Sequence, residues 1–471
     1  MRAHDVPIVH PPQPGVPLPV EPTVHTQPDV ASPAEPEPNG ATDSGLSRRG
    51  FLRVAGAVGL TGVAASVAAC TTTAAPAWSF GAPATPGAAT AAPSSAPASE
   101  APASGAPASA APSASASPDA NIPSGWTVHD IAARDKVRRY VGNLAPALKD
   151  IYPEPVFLKL AAILGVEDDY PELQMKPAFA QVPNLVITDA VSPLKPTMDG
   201  DVKVFDLTID EMEWNIDELL PSVAALGYNA QWPGPTIRAT EGDKLRVKFK
   251  NNLPETTGVH FHGVEFEDFF QDGVPFVTQL PITPGEEYAY DFVAERPGSL
   301  MYHSHHNATD QVGRGLLGAF VVDPKKPGPE DEYDREFVWI SNDALGGFTI
   351  NGHGFPATVP VLAAQGETVR VRFMNEGSMM HPWHLHGYRM NVVARDGYPL
   401  KGASFDCDTL GVNPGERYDV NIKADRLGIW AFHCHILPHV EGTDGMFGMV
   451  ATLIVVPEKA DVDAIVAALL A

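Results

Sequence analysis

The stretch Gly366-Glu367-Thr368-Val369-Arg370-Val371-Arg372-Phe373 matches, position for position, an earlier one, Gly242-Asp243-Lys244-Leu245-Arg246-Val247-Lys248-Phe249. In both, apolar residues alternate with polar ones after a glycine turn, the period of a strand with one face in a core. The same offset sets His260 and His262 against His384 and His386, and Asp272-Gly273-Val274-Pro275 against Asp396-Gly397-Tyr398-Pro399. After a short insertion, Pro284-Gly285-Glu286-Glu287-Tyr288 meets Pro414-Gly415-Glu416-Arg417-Tyr418, and His303 and His305 meet His433 and His435. A duplicated all-β domain is the simplest account, over residues 201–328 and 329–458. Each copy is predicted to be an antiparallel β-sandwich whose short strands are separated by Pro-Gly and Asp-Gly turns.

Outward from the repeat the chain changes character. Residues 122–200 show helical spacing and no cluster of metal-ligand residue types, and are expected to form a helical extension packed on the sandwiches. The tail, 459–471, is also expected to be helical. Residues 71–121 are almost all Ala, Pro, Ser and Gly, too poor in large apolar side chains to offset the entropy of ordering, and read as a disordered tether. Before them, Ser47-Arg48-Arg49-Gly50-Phe51-Leu52-Arg53 and the small-residue apolar run that follows resemble a twin-arginine export signal. Val67-Ala68-Ala69-Cys70 resembles a bacterial lipoprotein cleavage box. Residues 1–70 are therefore expected to direct export, ending in a lipid anchor on Cys70 at the outer face of the cytoplasmic membrane or, after ordinary cleavage, in secretion.

The chain carries 57 acidic and 32 basic residues, a formal net charge of −25, which opposes nucleic-acid binding. Its three cysteines are Cys70, Cys407 and Cys434. A Cys407–Cys434 bridge is formally open, but Cys434 has a better use.

Ten of the sixteen histidines fall in four short clusters: His260 and His262; His303 and His305; His381, His384 and His386; and His433, His435 and His439. In a strand, residues i and i+2 face the same way, so each His-X-His pair aims two imidazoles at one pocket. Eight imidazoles exceed what a four-coordinate zinc site uses, and an imidazole-rich site beside a thiolate favours copper. In His433-Cys434-His435-Ile436-Leu437-Pro438-His439 the strand turns Cys434 away from His433 and His435, so the thiolate belongs to a second site separated from the imidazole pocket by the backbone alone. A blue copper needs two imidazoles, a thiolate and a weak axial ligand. His381, Cys434 and His439 supply the first three. Their repeat partners are Thr257, Ser304 and Thr309, so the first domain lacks this site.

His260-Phe261-His262-Gly263, Tyr302-His303-Ser304-His305, His381-Pro382-Trp383-His384-Leu385-His386-Gly387 and His433-Cys434-His435 closely resemble the four copper motifs of the multicopper oxidases, which include laccases. The resemblance runs from about residue 201 to 456 and takes in Pro233-Gly234-Pro235-Thr236-Ile237-Arg238. It implies two tandem cupredoxin-like Greek-key β-sandwiches and about four coppers per chain, one type 1, one type 2 and a type 3 pair. It implies that His381, Cys434 and His439 bind type 1 copper, His260 and His384 type 2, and His262, His303, His305, His386, His433 and His435 the type 3 pair. The family's axial position falls on Asp444 here. Met446, paired in the repeat with apolar Leu316, is the expected axial ligand, and Met449 is the other methionine in reach. Asp272 looks like the family's acidic residue near type 2 copper, a proton source for oxygen reduction; its repeat partner is Asp396. His306 is expected on the opposite face from His303 and His305, outside the ligand set.

The implied reaction is one-electron oxidation of a small reductant (a phenol, an aromatic amine or a low-valent metal ion) coupled to reduction of dioxygen to water. Two-domain laccases, which this chain resembles, imply a homotrimer with each three-copper centre between subunits. Two other readings remain: a copper nitrite reductase, which keeps its blue copper in the first domain, and a non-catalytic copper carrier or electron-transfer protein, which has no use for eight further imidazoles.

Overall fold

A computed structural model describes residues 125–141, 144–164, 193–343 and 347–470. The expected export signal and tether, and part of the expected helical extension, lie outside them. The first domain comprises β1 (Val202–Trp214), β2 (Val223–Tyr228), β3 (Gly234–Thr240), β4 (Lys244–Asn251), β5 (Val259–His262), β6 (Glu287–Val293), β7 (Gly298–Ser304) and β8 (Leu317–Asp323). One sheet runs β1-β4-β6, with β2 on β1 and an edge strand at Thr197–Asp199; the other runs β3-β8-β7-β5. The sheet thus begins at Thr197, before the predicted domain boundary.

The second domain repeats this plan with β9 (Arg335–Asn342), β10 (Val361–Ala364), β11 (Thr368–Asn375), β12 (His381–Leu385), β13 (Met390–Arg395), β14 (Thr409–Val412), β15 (Arg417–Lys423), β16 (Gly428–Cys434) and β17 (Val450–Val456). Its sheets run β9-β11-β15-β13 and β10-β17-β16-β12-β14. The duplicated stretches are β4 and β11, whose alternation buries Leu245, Val247 and Phe249 in one core and Val369, Val371 and Phe373 in the other. Neither sandwich is purely antiparallel. β1 pairs parallel with β4 and β3 with β8, as do β9 with β11 and β10 with β17. Parallel partners need long crossover connections rather than hairpins, and here the chain passes through the opposite sheet between them.

Before the sandwiches lie α1 (Val128–Val141), α2 (Leu144–Ile151) and α3 (Glu154–Leu164), and after them α4 (Lys459–Leu470). Tyr140, Leu148, Tyr152, Phe157 and Leu164 join Val462 and Ile465 in the core of the second domain, and the Tyr152 hydroxyl donates to the Val455 carbonyl at 2.9 Å. Burying each large side chain stabilises by about 1.5–3 kcal/mol, so the extension is a fitted part of this domain. Arg139 reaches Glu218 of the first domain.

Between the domains Met301, Leu317, Ala319 and Val321 meet Val338, Ile340 and Met374. Beside them a buried charged network crosses the boundary. Arg372 donates to Glu336 (2.5 Å), Asp419 (2.7 Å) and the Ser299 hydroxyl (2.8 Å), while Arg238 donates to Glu336 (2.5 Å) and, through two nitrogens, to Asp323 (2.8 and 2.7 Å).

Candidate metal centres

β12 and β16 pair with Trp383 opposite Cys434, which turns the thiol into the sandwich while His384 and His433 face outward. His381 opens β12, and His439 ends a short helical turn after β16. Cys434 Sγ lies 3.8 Å from His381 Nδ1 and 3.6 Å from His439 Nδ1, all three residues being buried. Burial pushes the Cys434 thiol up to about 11, so a metal entering here would displace a proton. The two imidazoles and thiol, pointed at one another, fit a soft transition metal.

Behind them, His381 Nε2 is 3.1 Å from Asp343, whose carboxylate also accepts from the Ser378 amide and hydroxyl and the Met379 amide. Burial alone would raise this carboxyl, but the bonds from His381, Ser378 and Met379 hold it well below the usual range. Such an anchor fixes which imidazole nitrogen faces the metal. His439 stacks on Phe348 at 3.9 Å. Neither Asp343 nor Phe348 was expected from the sequence: they sit outside every histidine cluster and are delivered by the loop after β9. Of the two methionines, Met446 sits partly buried in a short hairpin with Glu441–Gly442. Met449 is fully buried; its carbonyl accepts from the Cys434 amide and its amide donates to the His439 carbonyl. Cys407 and Cys434 are both free thiols.

The equivalent position in the first domain is a hydrogen-bonded knot. Thr257 and Ser304 donate their hydroxyls to one oxygen, Gln311 Oε1, at 2.8 and 2.6 Å, and the Gln311 amide nitrogen donates to the Thr256 carbonyl. The third member is thus Gln311, not Thr309. Where the second domain has the short turn Leu437–His439, the first has a longer helical turn, Ala308–Gln311, which leaves Thr309 exposed and turns Gln311 inward.

The remaining histidines form two sets of one geometry. The His260 ring is 5.8 Å from His262 and 5.5 Å from both His303 and His305, and His384 is 4.9 Å from His386, 5.7 Å from His433 and 5.3 Å from His435. His303 and His305 stack, as do His433 and His435. Donor nitrogens of His260, His262 and His303 lie within 4.8 Å of one another, and His386 Nε2 is 3.0 Å from His433 Nε2.

The outer nitrogens are held by backbone carbonyls: His303 Nδ1 by Ser304, His433 Nδ1 by Cys434, His260 Nδ1 by Asp272 (2.7 Å) and His384 Nδ1 by Asp408 (3.0 Å). Asp408, not Asp396, is therefore the counterpart of Asp272; Asp396 instead caps the Arg417 amide at the domain boundary. The Asp272 carboxylate lies 3.5 Å from His260 Nδ1. Gly273, at φ +84, makes this approach feasible: a Cβ there would sit 1.8 Å from the Val259 carbonyl oxygen. Burial lowers the pKa of His260, His303 and His433, and of His262 to about 3 with help from the Arg417 guanidinium. Neutral imidazoles are the ligating form. His306 instead meets the Thr256 hydroxyl, and buried His353 packs against Trp214 with the rings tilted, centroids 5.1 Å apart.

The description "Multicopper oxidase" matches residues 208–327 in one family model and residues 332–458 in another. The chain belongs to the multicopper oxidase family. Dihydrogeodin oxidase of Aspergillus terreus is 30% identical over 264 residues, 48% of this chain and 42% of that protein. Putative laccase-1 of rice is 31% identical over 271 residues, 51% of this chain and 45% of that protein. The chain therefore spans less than half the length of these two relatives. Among solved structures, the blue copper oxidase from Nitrosomonas europaea superposes with a TM-score of 0.51 at 30% identity, covering 54% of this chain and 85% of that one.

Proposed function

We propose that this multicopper oxidase is a laccase-like enzyme coupling one-electron oxidation of a small reductant to four-electron reduction of dioxygen to water. The carrying observation is the buried Cys434 thiol between two imidazole nitrogens, on a strand whose next residues outward, His433 and His435, belong to a four-histidine set. His381, Cys434 and His439 would hold type 1 copper, with Met446 or Met449 as a further weak ligand. His260 and His384 would hold type 2 copper, and His262, His303, His305, His386, His433 and His435 the type 3 pair. Copper at these ligands supplies one-electron redox steps. The protein fixes His260, His303, His381, His384 and His433 through their outer nitrogens, favours the neutral form of His260, His262, His303 and His433 by burial, and joins the two sites through the bonds from Cys434 to His433 and His435. The Asp272 carboxylate is placed to supply protons.

Two histidine sets must face each other to surround three metals. Among the described residues no ring contact joins one set to the other, and His305, His386 and His435 are exposed. This favours a homotrimer in which the first domain of one subunit meets the second domain of its neighbour. The Thr257–Ser304–Gln311 knot, with no thiolate in the first domain, speaks against a nitrite reductase. Export through residues 1–70, with a lipid anchor on Cys70, belongs to the same proposal.

Copper content per chain with an absorption spectrum tests the reading. About four coppers, an intense thiolate band and a near-ultraviolet type 3 shoulder are expected. One or two coppers without the shoulder, in fully loaded protein, would refute it.

A further inference from the structure

The hairpin that follows His439 is covered by the helical extension, which lies outside the residues matched by the family. Gly445, at φ +84, packs so closely on α1 that a Cβ there would come within 2.8 Å of the Ala133 Cα. His129 Nδ1 bonds the Thr443 carbonyl at 2.7 Å, and His129 Nε2 lies 3.7 Å from Glu441. Beside this contact α1, α3 and Met446 border an open cleft of about 500 Å³. Its walls include Trp126, Asp130, Arg134, Val137, Ile163 and Leu164, and Arg134 donates through two nitrogens to the exposed Asp135 carboxylate at 3.3 and 3.2 Å. Trp126 and Ile163 are exposed, at 43% and 71%, and the Arg134 guanidinium lies over the Trp126 ring at 5.5 Å.

We propose that this cleft is the electron-donor site and that it takes a small aromatic reductant carrying an anionic group. The assignment rests on the oxidase reading above. An indole face and aliphatic walls accept a ring, and the Arg134 guanidinium, held only by a weak exposed pair with Asp135, exchanges that partner for a ligand carboxylate or phenolate. A metal ion fits poorly: among the described residues, the groups of three or more ligand side chains lie at the histidine sites, none in this cleft. The route inward is short. Met446 borders the cleft, and the next residue, Phe447, donates its amide to the Val440 carbonyl at 2.9 Å, one residue beyond His439. Four phenols, each giving up one electron and one proton, balance the reduction of one dioxygen to two waters.

Direct binding tests this without relying on turnover. In the full chain, ligand-observed NMR with 4-hydroxybenzoate and with hydroquinone gives two dissociation constants. Trp126→Ala is expected to weaken both by about tenfold, and Arg134→Gln to weaken 4-hydroxybenzoate by about tenfold and hydroquinone by less than about twofold. Thermal unfolding of each variant reports whether the fold is retained; Trp126→Phe should restore much of the binding. Unaltered binding of 4-hydroxybenzoate in both variants would overturn the assignment. So would a change in light-scattering mass with binding unaltered, the mark of a cleft filled by a second copy of this chain. Failure of the oxidase reading is distinct: the wild-type chain would then consume no oxygen with any donor, whatever the cleft binds.

Discussion

Replacing Arg372 by methionine removes the guanidinium at the domain boundary but keeps most of the side chain's volume. Arg372, Glu336 and Asp419 have side chains only 6%, 7% and 5% exposed, so the variant leaves two buried carboxylates short of a partner. Removing one member of a buried ion pair typically costs about 3–5 kcal/mol. Glu336 keeps Arg238 and Asp419 keeps Arg370 at 3.7 Å, which places the expected loss near the lower end, about 3 kcal/mol. For a unit of this size that is a fall of about 6–12 °C in Tm by calorimetry. The acid side should change with it. Burial alone would raise the Glu336 carboxyl, but Arg372 and Arg238 bring it down to about 2, below its unfolded 4.5. A depressed folded pKa contributes stability that is present above the unfolded value and is lost as pH falls toward the folded one. Wild-type stability should therefore decline between about pH 4.5 and 2, and the variant, starting lower, should decline less over that window. A fall in Tm below about 2 °C, with an unchanged acid limb, would refute the view that this network locks the domains.

Three further perturbations address the sites. Gln311→Ala strips the Thr257 and Ser304 hydroxyls of their shared acceptor and should cost about 1–3 kcal/mol in unfolding experiments without changing copper content; a neutral result would show that water replaces the amide. Asp343→Ala releases His381 Nε2 and should weaken type 1 copper about 10–100-fold in chelator competition, with the coppers of the histidine sets retained. Asp272→Asn leaves the carbonyl that holds His260 in place, so copper content should be unchanged while oxygen uptake falls by about 10²–10⁴-fold; full activity would remove the carboxylate from the proton path.

The duplicated strands and the His-X-His pairs were legible because a period of two is written directly into sequence. The same period separates Cys434 from His433 and His435 and so reveals two sites in one segment. What was not legible depends on loops, where a fixed offset no longer reports spatial equivalence. Thr309 aligns with His439, but a helical turn delivers Gln311 instead. Asp396 aligns with Asp272, but the carbonyl at the corresponding histidine comes from Asp408. Asp343 carries no local signal, since an aspartate in a loop is ordinarily a turn former, and only the β9–β11 pairing brings it behind His381. The helical spacing of the extension was visible, but not which domain it covers.

Under the trimer proposal each histidine set supplies half the ligands of a three-metal centre, and a neighbouring subunit supplies the other half. Around the first set the loop after His262 exposes Phe269, Phe270, Phe276, Val277 and Leu280, with Phe276 at 76%. Exposed apolar clusters of this kind are common at protein–protein contacts, and this one is where the trimer proposal puts the neighbouring subunit. Phe276→Glu would place a charge in that contact while touching no proposed ligand. If the trimer proposal holds, the variant sediments as a monomer. It keeps the thiolate band, because His381, Cys434 and His439 come from one domain, and loses both the type 3 shoulder and oxygen uptake. A monomer that retains full copper and consumes oxygen would require both sets to close within one chain, and would overturn the trimer while leaving the type 1 assignment untouched.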